Sequence, residues 1–250
     1  MRDITSLFDL TGKVALVTGG SRGLGLEMVR IFALAGADVI ITSRNKDACE
    51  AAVREVEAMG RRALAYACHV GHWDEIPSLV DAAYAAFGKI DILVNNAGMS
   101  PLAPSLVEIS EELFDKVIGV NLKGPFRLST LVGARMVADG GGVIINVSST
   151  GADRPTPRTT PYSSAKAGLN ALTIALAHEY GPTVRVNTLS PGPFLTDVSK
   201  HWPSDRHGKR DNAAGRNGRA EEIVTAVLYL ASPSSTYTTG SLLRVDGGFS

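Results

Sequence analysis

The sequence predicts an α/β fold: a doubly wound, seven-stranded parallel sheet flanked by helices on both faces. Three observations carry that expectation. Short, β-branched apolar runs alternate with longer amphipathic ones along the whole chain. The first run leads directly into a glycine-rich turn, TGGSRGLG at 18–25, and then a helical pattern. No linker, repeat or low-complexity stretch interrupts the alternation over 250 residues, so one domain is expected over 1–250. Strands that alternate with helices pair in parallel through right-handed crossovers, which place helices on either face.

The elements follow in order. KVALVT (13–18) is a short apolar run ended by glycine, as a buried strand should be. A helical pattern over 23–35 starts inside the glycine turn. DVIIT (38–42) is the second strand and 46–58 the second helix. ALAYACHV (63–70) is the weakest strand signal, because alanines dilute its β-branched character. The pattern 74–87 predicts a helix, IDILV (90–94) a strand, and 111–138 one long helix. GVIINV (142–147), a helix over 162–180, VRVNTL (184–189), a helix over 220–231 and LLRV (242–245) complete the series. Residues 194–219 break it. They have no sustained apolar period and are rich in Gly, Asp, Asn and basic residues. Following the sixth strand, on the side where open α/β sheets bind ligands, they read as a substrate lid.

Composition excludes several classes. Hydrophobic residues make up 44% and charged residues 20%, ordinary for a protein with a large core. Formal net charge is zero, so nothing in the whole-molecule charge points to nucleic acid or an anionic membrane. Cys49 and Cys68 match no metal spacing and no disulfide framework, and no metal is expected. MRDITSLFDLTGK lacks an apolar core of signal-peptide length, and no run reaches the roughly 18 apolar residues that span a bilayer. A soluble cytoplasmic protein is the expectation.

A strand, a glycine turn and a helix start make a phosphate cradle. Glycines let the backbone approach a pyrophosphate, and the helix N-terminus supplies N–H donors. Here Gly19, Gly23 and Gly25 are spaced G-x-x-x-G-x-G, with Ser21, Arg22 and Leu24 between them. In this strand–turn–helix context the spacing points to a Rossmann-type dinucleotide site. Such sites place an acid at the end of the second strand for the ribose 2′-hydroxyl. This chain has Ser43 and Arg44 there, with no acid until Asp47. Arg22 and Arg44 suit a 2′-phosphate, which guanidinium binds in a bidentate, charge-assisted manner. NADP(H) is therefore favoured, with NAD(H) as the alternative.

YSSAK (162–166) sets a phenol and an ammonium one helical turn apart, a pair with little meaning alone. In context it joins TGGSRGLG, NNAG (95–98), Asn121 in GVNLKG, VSS (147–149) and PGPFLT (191–196). In that order and combination, the chain resembles the short-chain dehydrogenases/reductases from about residue 8 to VDGG (245–248). The resemblance implies an oxidoreductase that moves hydride between NAD(P)(H) and a carbonyl or secondary alcohol. It makes Tyr162 the catalytic acid/base. Lys166 would lower the phenol's pKa and bind the nicotinamide ribose, and Ser149 would hold the substrate oxygen. Asn121 would help hold a proton-relay water. Strand alternation turns the neighbouring Ser148 to the other face. Asn95, Ala97 and Gly98 would lie against the adenine ribose, and Pro191, Gly192 and Thr196 near nicotinamide and pyrophosphate. One departure stands out. After the third strand the family carries Asp and a small hydrophobic residue, and this chain reads Cys68-His69-Val70. His69 could exchange one hydrogen bond with adenine or stand at the surface, with Val70 contributing its backbone.

The resemblance also places substrate selection in the loop TGADRPTPRTTP (150–161) and the lid. The loop holds Arg154 and Arg158. Over 199–219 stand Lys200, Arg206, Lys209, Arg210, Arg216 and Arg219 against Asp205 and Asp211, with Trp202 among them. These charges fit an anionic substrate, a 3-oxoacyl thioester or a sugar-derived keto acid, or else a solvated face. A homotetramer built on helices 111–138 and 162–180 and the last strand is implied. Two other readings share the pattern: an NAD-dependent catabolic alcohol dehydrogenase, and a dinucleotide sensor without turnover. Retention of Ser149, Tyr162 and Lys166 argues against the sensor.

Overall fold

The computed structural model describes residues 4–196, 199 and 212–249. Seven parallel strands form one sheet: β1 (Val14–Thr18), β2 (Asp38–Ser43), β3 (Ala63–Ala67), β4 (Ile92–Asn95), β5 (Gly142–Val147), β6 (Val184–Pro191) and β9 (Leu242–Val245). Their order is β3-β2-β1-β4-β5-β6-β9. The chain winds outward from β1 to β3 and then crosses back to β4 on the other side of β1. The ends of β1 and β4 therefore diverge into the crevice where such sheets take ligands.

Strand alternation makes both faces apolar. Ala15, Val17, Val39 and Ile41 pack with Met28 and Phe32 of α1 (Gly23–Leu34), Val56 of α2 (Lys46–Ala58) and Val227 and Leu230 of α7 (Val224–Ala231). Val14, Leu16 and Ile40 face the other way. They pack with Leu79 of α3 (Ile76–Phe87), Leu128 and Met136 of α5 (Gly124–Ala138) and Leu176 of α6 (Thr160–Tyr180). A period of two in the strands thus supplies two cores from one sheet.

The structure departs from the expected elements in several places. The helix expected over 111–138 is α4 (Glu111–Ile118), one wide π turn (Gly119–Lys123) and α5. Glycine at 124 allows this path, since a Cβ there would collide with the Val70 carbonyl. β3 ends at Ala67, before the expected residue 70, because Glu75 captures the His69 N–H at 2.7 Å. Within the proposed lid, β7 (Phe194–Leu195) pairs with β8 (Gly218–Arg219). Its Lys200, Trp202, Asp205, Arg206, Lys209, Arg210 and Asp211 lie outside the described residues. Arg216 and Arg219 do not add free positive charge. Arg216 grips Glu222 with two bonds of 2.7 Å, and Arg219 meets Glu221 at 2.6 Å. No described helix is long and apolar enough to cross a membrane, and no described cluster of His, Cys, Asp or Glu could hold a metal.

Candidate active site

A cleft of about 1100 Å³ opens at the carboxyl ends of the first four strands. The glycine turn forms its floor. Gly19 and Gly23 have φ of 65° and 55°, a left-handed backbone that side chains disfavour. Gly25 is held by space. A Cβ there would lie 2.5 Å from Asn96 Nδ2 and collide with the Gly19 carbonyl. Thr18 braces the turn from below: its hydroxyl accepts the Asn96 and Ala97 N–H groups, both at 3.0 Å. The Ser21 hydroxyl donates to Ser43 Oγ at 3.0 Å and so ties the turn to the end of β2.

Of the residues expected at the cofactor, Gly19, Ser21, Arg22, Gly23, Leu24, Gly25, Ser43, Arg44, His69, Val70, Ala97, Gly98 and Thr196 line this cleft. Asn95 does not. Its side chain points into the core and donates to Ser129 and Asn146 at 2.8 Å each. Asn96 lines the wall in its place. Pro191 and Gly192 lie apart from the lining. The Gly192 N–H bonds the Val245 carbonyl at 2.9 Å. Arg22 and Arg44 are exposed, and neither guanidinium has a hydrogen bond or ion pair with a described residue. The His69 ring stacks on His72 with centroids 4.1 Å apart, and its Nδ1 accepts the Gly71 N–H. Burial first, then His72 and Arg44, hold its pKa below the ordinary value. The neutral ring therefore carries its proton on Nε2, where it can donate. Burial pushes the Cys68 thiol up to about 11, so it lines the cleft uncharged. A glycine-rich phosphate cradle at the mouth of the sheet fits a dinucleotide.

Gly98 connects this cleft to the reacting groups. A Cβ on it would stand 2.9 Å from Asn121 Oδ1 and 3.7 Å from Lys166 Nζ. Asn121 is fully buried in the π turn. It donates to the carbonyls of Met99 (2.8 Å) and Val117 (2.9 Å), and its Oδ1 accepts the Met99 N–H. Single wide turns of this kind recur at functional sites. Ser149 caps a short turn at the end of β5 and accepts the Gly151 N–H at 3.0 Å, and a Cβ on Gly151 would touch both its Oγ, at 3.4 Å, and the Tyr162 ring, at 3.6 Å. Ser148 faces elsewhere and donates to the Lys166 carbonyl. Helix α6, which carries Tyr162 and Lys166, is tied to the sheet by a buried chain. Asn146 donates to Thr173 Oγ1 at 2.9 Å, as does Thr188 at 3.0 Å.

The electrostatics differ from the expectation that Lys166 lowers the Tyr162 pKa. Burial pushes the Tyr162 phenol up, and the Ser149 hydrogen bond offsets that only in part. Lys166 is 3% exposed, and burial pushes its ammonium down to about 7. Its Nζ donates to the Val147 carbonyl at 2.7 Å and stands 5.7 Å from the centre of the Tyr162 ring. Desolvation penalises either charge more than its neighbour rewards it. A stability prediction follows. Between about pH 7 and an ordinary lysine value near 10.4, the unfolded chain holds a proton that the folded chain does not. This contribution to stability therefore rises with pH across that window. Lys166→Met removes it, so the variant's advantage over the parent should shrink from pH 7 to pH 9.5 in chemical denaturation of protein without added cofactor. A constant difference would contradict the shifted pKa.

Comparison with known proteins agrees with this geometry. A family model described as enoyl-(acyl carrier protein) reductase matches residues 19–250. The 3-oxoacyl-(acyl-carrier-protein) reductase FabG of Thermotoga maritima is 37% identical over 245 residues, 96% of this chain and 98% of that protein. A 7α-hydroxysteroid dehydrogenase complexed with NADH and 7-oxo glycochenodeoxycholic acid superposes with a TM-score of 0.94 at 34% identity, covering 99% of this chain and 98% of its own. A gluconate 5-dehydrogenase from Burkholderia cenocepacia, in complex with NADP and tartrate, gives 0.92 at 32% identity, covering 98% of each.

Proposed function

The chain belongs to the short-chain dehydrogenase/reductase family, and from that premise we propose that it is an NADP(H)-dependent enzyme interconverting a carbonyl compound and a secondary alcohol. The observation that carries this reading is the convergence of Ser149 and Tyr162, both within 3.6 Å of a Cβ placed on Gly151, beside buried Lys166, reached through Gly98 from the dinucleotide cleft. When bound, the nicotinamide supplies or accepts hydride. Ser149 and Tyr162 hold the substrate oxygen between two hydroxyls. In reduction, Tyr162 gives its proton to that oxygen, and protonated Lys166 stabilises the phenolate left behind. Asn121 fixes Met99 and the wide turn against Gly98. In oxidation the proton path reverses. Two of these relatives, named as a 3-oxoacyl-(acyl-carrier-protein) reductase and a gluconate 5-dehydrogenase, support 3-oxoacyl thioesters and sugar-derived keto acids as candidate substrates.

Unpaired Arg22 and Arg44 support the preference for NADP(H). Each charge-assisted hydrogen bond to the 2′-phosphate is worth about 1.5–3 kcal/mol. Fluorescence titration should show NADPH binding more tightly than NADH. In Arg44→Ala the NADPH/NADH affinity ratio should fall about ten- to a hundredfold. Equal affinities in the parent would remove the preference.

Phe114, Phe126, Val137 and Ile174, on α4, α5 and α6, are each more than 40% exposed. This supports a self-associated state in which copies of the chain cover these faces. Light scattering should give about four times the 26.3 kDa chain mass. A single-chain mass would contradict it.

A further inference from the structure

One feature of the catalytic corner is not accounted for by hydride transfer. Beside Tyr162 lies a slot of about 10 Å³, floored by Ala103, Ile109, Leu113, Val117 and Pro161 and bordered by Arg158. That volume holds about one water-sized or methyl-sized group. Arg158 is exposed at its edge and makes two contacts with the opposite loop. Its carbonyl accepts the Ala103 N–H at 3.0 Å, and its Nε reaches the Ala103 carbonyl at 3.4 Å. Its Nη1 and Nη2 bond no described residue. Arg244 pairs with Asp153 at 2.7 Å, and Arg154 lies 5.9 Å over the Phe249 ring. A fork anchored through one nitrogen, with two donors free at the rim of an apolar slot, is suited to a planar anion.

We propose that Arg158 is the specificity-determining residue of the site, binding the carboxylate of a short oxo acid or of the matching hydroxy acid. The inference rests on the function proposed above and narrows its substrate. The reacting oxygen sits at Ser149 and Tyr162, and the carboxylate sits at Arg158. Tyr162 and Arg158 border the same methyl-sized slot, so a short acid suits the pair better than a long one. The step balances as hydride from NADPH to the carbonyl carbon and the Tyr162 proton to its oxygen. The products are the hydroxy acid and NADP⁺, and Tyr162 is reprotonated from solvent.

The test compares 4-oxopentanoate with its methyl ester, which keeps the ketone and removes the charge. The parent should show kcat/KM at least tenfold higher for the acid. Arg158→Leu should bring the acid/ester ratio close to one, and Arg158→Lys should retain part of it. Calorimetry supplies a reading without turnover: 4-oxopentanoate should bind the NADP⁺-loaded parent at least tenfold more tightly than the NADP⁺-loaded Arg158→Leu protein. 6-Oxoheptanoate should be the poorer substrate, and a preference for it would overturn the short spacing. A ratio near one in the parent, or one unchanged in Arg158→Leu, overturns the role of Arg158. So does turnover of acetoacetyl-coenzyme A or neutral ketones without turnover of oxo acids, and this leaves the carbonyl-reductase reading standing. A parent inert toward all carbonyls with both cofactors overturns that reading as well.

Discussion

Tyr162→Phe is expected to lower turnover by about 10²–10⁴-fold, the usual worth of a positioned general acid. Thermal stability and NADPH affinity should stay near those of the parent. The phenol is desolvated, and its loss leaves Ser149 Oγ still bonded to the Gly151 N–H, so no buried group is orphaned. Only the transferable proton disappears. Steady-state assays beside a melting curve and a cofactor titration would check it. Turnover above a tenth of the parent's would remove Tyr162 from the chemistry.

The second large effect is expected at Gly25. Alanine there would press its Cβ on the Gly19 carbonyl and on Asn96 Nδ2 at 2.5 Å. Neither neighbour can retreat cheaply. The Gly19 N–H bonds the Thr42 carbonyl at 2.7 Å, and Asn96 Nδ2 donates to the carbonyls of Thr18 and Gly19 at 2.8 and 3.3 Å. Overpacking of this kind costs about 1–3 kcal/mol, felt where the turn opens. Gly25→Ala should therefore bind NADPH about ten- to a hundredfold more weakly by titration. Parent-like affinity would show that the turn does not cradle the cofactor.

Much of this was legible in the sequence because it depends on short-range pattern. Val14 and Leu16 against Ala15 and Val17 already imply two covered faces, and the glycine spacing implies the cradle. What stayed hidden depends on where elements stop and on distant partners. NNAG offers two adjacent asparagines. The register of β4 on β5 sets Asn95 opposite Asn146, where the two side chains bond, while Asn96 lines the cleft. The π turn at 119–123 reads as ordinary helix, and the close approach of Gly124 to the Val70 carbonyl beside it joins positions more than fifty apart in sequence. The neutralisation of Arg216 and Arg219 needed Glu221 and Glu222 to fold back on them. The Lys166 shift arises from burial by β5 and α6 together, whereas residue spacing reveals only its nearness to Tyr162.

The central claim is hydride transfer to a carbonyl carbon, with the proton supplied at Tyr162. Its most direct test gives the protein NADPH deuterated at nicotinamide C4, in both stereochemical forms, together with 4-oxopentanoate and a neutral methyl ketone. Mass spectrometry then reads the alcohol formed. One labelled form should place a single deuterium on the carbinol carbon, and Tyr162→Phe should yield almost no alcohol. Consumption of NADPH without deuterium at that carbon, or no alcohol from either ketone, would contradict it.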